Sequence, residues 1–142
     1  MSPLAAFAHP HAPNLALLGH VSPVIVVHLS FAVVAFAIGL IQLLGPKGTL
    51  PHRILGWTWV VVMMTVAISS FFIHAINPKG FSLIHILSVI TVCALPLGVY
   101  AARRHKVNLH GRIMRNTFIA GLVIAGLFTF FPGRLVWQMF FG

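Results

Sequence analysis

The stretch GPKGTLPHRILGW, residues 45–57, decides how this chain folds. Its first half gathers the breakers Gly45, Pro46 and Gly48, which read as a tight turn. Its second half starts a new apolar run behind Pro51, a residue suited to the first position of a helix. The turn therefore separates two hydrophobic runs, Ser22–Leu44 and Ile54–Ile76. A hydrocarbon layer of about 30 Å takes around 20 apolar residues at about 1.5 Å each, so either run is long enough to cross it.

Two further runs of this kind follow, Phe81–Ala102 and Ile113–Phe131. NPKG, residues 77–80, joins the second and third runs and is too short for anything but an antiparallel reversal. RRHKVNLHGR joins the third and fourth. The expected fold is all-α: an integral membrane antiparallel four-helix bundle. Residues 1–21 form an N-terminal tail, 22–136 the bundle, and 137–142 an interfacial C-terminal tail. Pro96, inside the third run, should kink that helix or loosen its backbone bonding.

Composition points the same way. Of 142 residues, 59% are apolar and 6% charged, against roughly a quarter charged in soluble domains. There are nine Lys and Arg and no Asp or Glu. No carboxylate side chain exists to act as general base, to bind calcium or magnesium, or to relay protons. Proton or metal chemistry falls to the nine histidines. The single cysteine, Cys93, excludes an internal disulfide and a cysteine-cluster metal site. The first twenty residues lack a basic start before an apolar core, so no cleaved leader is expected.

The basic residues orient the spans. Lys47, Arg53, Arg103, Arg104, Lys106, Arg112 and Arg115 lie on the side of the first and third loops, and Lys79 and Arg134 on the other. By the positive-inside rule, loops 45–53 and 103–112 are cytoplasmic and both termini lie on the outer side, as in a bacterial inner membrane. Topology and anionic lipid headgroups account for the net charge of +9, and no nucleic-acid partner is expected.

Each run carries a histidine near its own start: His28, His52, His85 and His110. In an up-down bundle consecutive helices are neighbours, so the first and third are diagonal, as are the second and fourth. His28 and His85 would then face each other in the outer half, and His52 and His110 in the inner half. A haem takes two axial ligands on opposite faces of a flat ring, which diagonal helices supply. Ser30, Gly56, Ser88 and Gly111 would make room for it. Arg53, Arg112 and Arg115 inside and Arg134 outside could pair with propionates.

HRILGW and HGRIM, at residues 52–57 and 110–114, resemble stretches that open helices in small transmembrane cytochromes b with two haems. The resemblance implies His52 and His110 as haem ligands, and electron transfer between a quinone or small oxidant and a partner. The chain also looks like an uncharacterised family of four-helix membrane proteins. As an enzyme it would be a quinone-linked oxidoreductase.

Two other readings stand beside haem b, with one haem or two. His28, His74 and His85 sit near one level, and three imidazoles suit copper or zinc. Alternatively the chain is a non-catalytic small subunit or scaffold whose histidines hold lipid headgroups, an acidic protein partner or a second copy. The tail histidines His9, His11 and His20 could catch metal but more often do nothing. Trp57, Trp59 and Trp137 fit interfacial belts, Cys93, Met63 and Met64 fit packing, and Gly121 and Gly126 permit close helix approach.

Overall fold

The computed structural model describes residues 12–76, 83–130 and 135–141, with the side chains of 74–76, 83, 84 and 135 outside the description. A 3₁₀ turn, Leu15–His20, precedes α1 (Pro23–Leu44), α2 (Leu50–Ile76), α3 (Leu83–Arg103) and α4 (Val107–Phe118). The fourth span continues through a π-helical stretch, Ile119–Ile124, into α5 (Ala125–Thr129), and α6 (Leu135–Phe141) follows. Four helical stretches are long and apolar enough to cross a membrane: Pro23–Leu44, Leu50–Ile73, His85–Arg103 and Val107–Thr129. The chain is an all-helical membrane protein.

The turns are built by identifiable residues. At the end of α1 the Gly45 N–H bonds back to the Ile41 carbonyl at 2.8 Å, and Gly48 takes a φ of 80° that favours glycine. Thr49 caps α2: its hydroxyl accepts from the His52 N–H at 3.3 Å, satisfying an N–H that has no partner inside the helix. α2 therefore starts at Leu50, before the apolar run, and Pro51 sits second rather than first. α3 ends with His105 in the left-handed region at φ 55°. The Lys106 N–H reaches the Ala101 carbonyl at 2.9 Å and the His105 N–H the Ala102 carbonyl at 3.1 Å, a Schellman motif. That motif turns the chain within three residues, so α4 begins at Val107 rather than Ile113.

α1 packs on α2, α2 on α3, and α3 on α4, while the π stretch closes the ring against α1. α1 is thus diagonal to α3 and α2 to α4, the order that the loop lengths imply. The core is Ala35, Trp59, Val62, Met63, Leu95, Phe118 and Leu122. Val33, Val61, Ile86, Leu97 and Leu127 point outward as lipid-facing side chains do. The first and last described segments, around Asn14 and in α6, meet at one end, which we call the terminal end, where the Asn14 N–H bonds the Met139 carbonyl at 2.9 Å. The turns 45–49 and 104–106 form the loop end.

Three glycines let the spans approach closely. A Cβ on Gly39 would lie 2.9 Å from Trp59 Nε1 and 2.6 Å from Phe118 Cε2. One on Gly121 would meet Met63 Cε at 2.6 Å, and one on Gly98 would meet Met114 and Ile113. Gly126 faces open space, against the close approach expected of it. Trp59 is not a belt residue either: it is buried, and its indole N–H donates to the Ala35 carbonyl at 2.9 Å. Cys93 is exposed rather than packed inside. Trp57 is exposed as a belt residue should be, and Trp137 stacks on Phe141 at 4.4 Å.

Candidate functional site: a histidine at the head of each inward stripe

Counting along each span shows where its histidine points. In α1 the residues that face the bundle are Ala32, Ala35, Gly39 and Gln42, and His28 stands one turn before the first. In α2 His52 leads Gly56, Trp59, Met63, Val66 and Ser70. In α3 His85 leads Ser88, Thr91, Leu95 and Gly98, and in α4 His110 leads Met114 and Thr117. Steps of three and four keep side chains on one helix face. All four histidines are half-buried, and each heads the stripe that its helix turns toward its neighbours.

At the terminal end α2 presents Ser69, Ser70 and Phe71 to both flanking spans. His28 Nδ1 lies 2.8 Å from Ser69 Oγ, and the Ser69 hydroxyl lies 2.9 Å from the Val66 carbonyl, to which it donates. A hydroxyl has one proton, so with that proton on the Val66 carbonyl Ser69 can take the Nδ1–H of His28, the tautomer in which Nε2 is the unprotonated nitrogen. On the other side Ser70 and Ser88 share a hydrogen bond of 2.6 Å. The His85 ring tilts against Phe71 with centroids 6.4 Å apart. His28 and His85 therefore reach α2 within a single turn, 69–71, from the two spans diagonal to each other.

At the loop end His110 Nδ1 lies 2.9 Å from the Gly98 carbonyl. A carbonyl only accepts, so Nδ1 holds the proton and Nε2 is again the basic nitrogen of the neutral ring. His52 lies within electrostatic reach of His110 and Lys47. Its Nδ1 is shut from solvent and meets no hydrogen-bond partner among the described residues. Gln42 fixes the backbone here, donating to the His52 carbonyl at 2.9 Å. His28 and His85 are thus both seated against α2 at the terminal end, and His52 lies near His110 at the loop end.

The other expected site residues fall elsewhere. Arg53, Arg112 and Arg115 are exposed at the loop end. Arg134, His9 and His11 lie outside the described residues, as does the His74 side chain. Among the described residues no group of three His, Cys, Asp or Glu side chains could hold a metal ion. Ser30 is exposed and bonds its own helix at the Val26 carbonyl, while Gly111 faces open space. The Gly98 carbonyl and Gln42 carry no signal of their own in the sequence. Ser69 had a signal: with Ser70 it is a hydroxyl pair deep in an apolar run.

Two grooves open on the bundle. One, of about 240 Å³, lies between α3 and α4 along Thr91, Ala94, Asn116 and Thr117. The other, of about 390 Å³, lies between α2 and α3 along Trp57, Val60, Met64, Pro96, Tyr100 and Arg103. Neither is lined by a histidine.

A family model described as a predicted membrane protein, DUF2306, matches residues 25–139. The chain belongs to that family. The match includes the four stripe histidines and reaches over the four spans from the third residue of the first. No curated protein and no solved structure matches the chain.

Proposed function

We propose that this membrane protein is an electron carrier that holds haem b between histidines of diagonal spans, His28 with His85 at the terminal end and His52 with His110 at the loop end. The observation that carries the reading is the placement of a histidine at the head of every inward stripe. Ionisable side chains inside spans are costly and mark function by default. Four of them, two per end and all turned inward, outnumber what headgroup contact needs.

The donor set fits haem iron. Each end offers two imidazoles from opposite sides of the bundle, and no carboxylate competes anywhere in the chain. His110 donates Nδ1–H to a backbone carbonyl, and His28 donates it to a serine. Metal-bound histidines make this kind of second bond, which fixes the tautomer and the ring direction. Ser69 and the Gly98 carbonyl are therefore positioning groups, holding Nε2 as the ligating atom. His52 Nδ1, buried without a partner, marks the place where a polar group is owed. When bound, haem b supplies one-electron transfer, and two haems at opposite ends would form a path across the bilayer. A quinone or small oxidant at one end and an acceptor protein at the other follow from that chemistry. With loops 45–53 and 103–112 cytoplasmic, the His52–His110 pair faces the cytoplasm.

A second reading rests on the close seat of His28 against Ser69. Two neutral imidazoles with no macrocycle between them suit a copper or zinc ion, with His74 a third donor by its level on α2. A reduced-minus-oxidised visible spectrum of the detergent-purified protein separates the two, with a pyridine haemochrome count. About two haems per chain are expected, with one lost in His85→Ala and the other in His110→Ala. A flat spectrum from cells supplied with haem overturns the haem reading. Stoichiometric copper or zinc then supports the second, and absence of both leaves a structural role for the histidines.

A further inference from the structure

The 390 Å³ groove between α2 and α3 is independent of the histidines; it is shallow and open, with Arg103 among its otherwise mostly apolar walls. It starts at the loop end, where α3 finishes with Arg103 and Arg104 follows in the turn. Arg103 holds its guanidinium over the Trp57 ring at 5.7 Å, and Arg104 lies over the Tyr100 ring at 5.4 Å and donates to the Tyr100 hydroxyl at 3.1 Å. Trp57 and Tyr100 are both walls of the groove. Each arginine is thus fixed against an aromatic wall at the mouth, and an arginine so held loses less freedom when it takes a further partner.

Neither arginine has a counter-charge. The chain contains no Asp or Glu. Among the described residues Arg103 makes the ring contact and no hydrogen bond, while the Arg104 fork beyond Nε is uncommitted. Deeper in, the groove is lined by Val60, Met64, Pro96 and Val99 and is almost wholly apolar. Pro96, inside α3, forms part of this wall and brings no backbone N–H to it. The volume falls in the range of small-molecule sites, about 300–1,000 Å³.

We propose that this groove binds one anionic phospholipid, with its phosphate between Arg103 and Arg104 and an acyl chain along Val60, Met64, Pro96 and Val99. A phosphate presents the acceptors that two guanidinium forks bind best, and the apolar floor selects a lipid over a free ion.

Native mass spectrometry of the detergent-solubilised full chain tests it, with phosphatidylglycerol and phosphatidylcholine of the same acyl chains as probes. One phosphatidylglycerol should be retained in preference to phosphatidylcholine. Arg103→Gln with Arg104→Gln should cut that preference about thirtyfold, roughly fivefold per arginine. Lys47→Gln with Lys106→Gln removes the same charge at the same end, but neither lysine lines the groove, so this pair should lose far less of the preference than the arginine pair. Val99→Trp, which fills the floor, should weaken both lipids while the arginines remain. Equal retention of the two lipids overturns the proposal, as does an equal loss in the lysine pair, which would mean diffuse attraction. Displacement by inorganic phosphate at the same concentration would replace the lipid with a free anion and overturn it too.

Discussion

Gly39→Ala puts one methyl group where three helices meet. The new Cβ would lie 2.6 Å from Phe118 Cε2 and 2.9 Å from Trp59 Nε1, with Phe118 Cδ2 closer still. Carbon contacts settle near 3.5 Å at the closest, so the ring must retreat by more than about 0.9 Å. It has little room: Phe118 and Trp59 are each 5% exposed, and Phe118 stacks on Phe36 with centroids 5.5 Å apart. Overpacking of this kind costs about 1–3 kcal/mol. Pushing the indole off the Ala35 carbonyl adds about 1 kcal/mol, and alanine's better helix propensity returns about 1 kcal/mol. The net expectation is a loss of about 1–3 kcal/mol.

The assay is unfolding in mixed micelles under a denaturing-detergent titration, followed by circular dichroism. Gly126→Ala is the control, since no heavy atom lies within 4 Å of its added Cβ. That variant should be unchanged or more stable by up to about 1 kcal/mol. Phe118→Leu combined with Gly39→Ala should recover part of the loss, because a smaller side chain at 118 gives the methyl space. If Gly39→Ala is as stable as Gly126→Ala, the three-helix contact is not as tight as described.

Two local predictions concern the turns at the loop end. Thr49→Ala removes the cap on α2 and should cost about 1 kcal/mol, with faster hydrogen exchange at the His52 amide and unchanged exchange at mid-helix. Equal protection at His52 in both proteins would count against the cap. His105→Gly relieves a left-handed backbone at φ 55° and should stabilise by up to about 1 kcal/mol, partly offset by glycine's freedom in the unfolded chain. A drop in unfolding free energy would show that the histidine side chain, and not the backbone, holds that turn.

The four spans were legible because crossing a bilayer is a requirement on length and composition alone, and Ser22–Leu44 meets it without reference to any other residue. Antiparallel order was legible too, since turns of a few residues leave no alternative. Helices α2 and α4 begin before the apolar runs that start at Ile54 and Ile113, because hydropathy marks where lipid begins, whereas hydrogen bonding marks where the helix begins. Thr49 and the Schellman turn at His105 carry both helices outward, past His52 and His110. The histidines themselves stood out as ionisable groups in apolar runs.

Which face of each span turns inward belonged to the tertiary structure. In water an amphipathic stripe announces itself, but in a bilayer the surroundings are as apolar as the core, and α1 is apolar on every side. What selects the inward face is fit: Gly39 admitting Phe118, Gly121 admitting Met63, Trp59 donating its N–H to the Ala35 carbonyl. Trp59 read as a belt residue for this reason, since an indole at an interface and one in the core have the same sequence signature. The partners of the candidate ligands followed from packing as well, because Ser69 and the Gly98 carbonyl meet His28 and His110 across helices, 41 and 12 residues away along the chain. Sequence determined that four helices cross and that each brings a histidine. Close packing of small residues, which no periodicity records, determined that all four histidines point the same way.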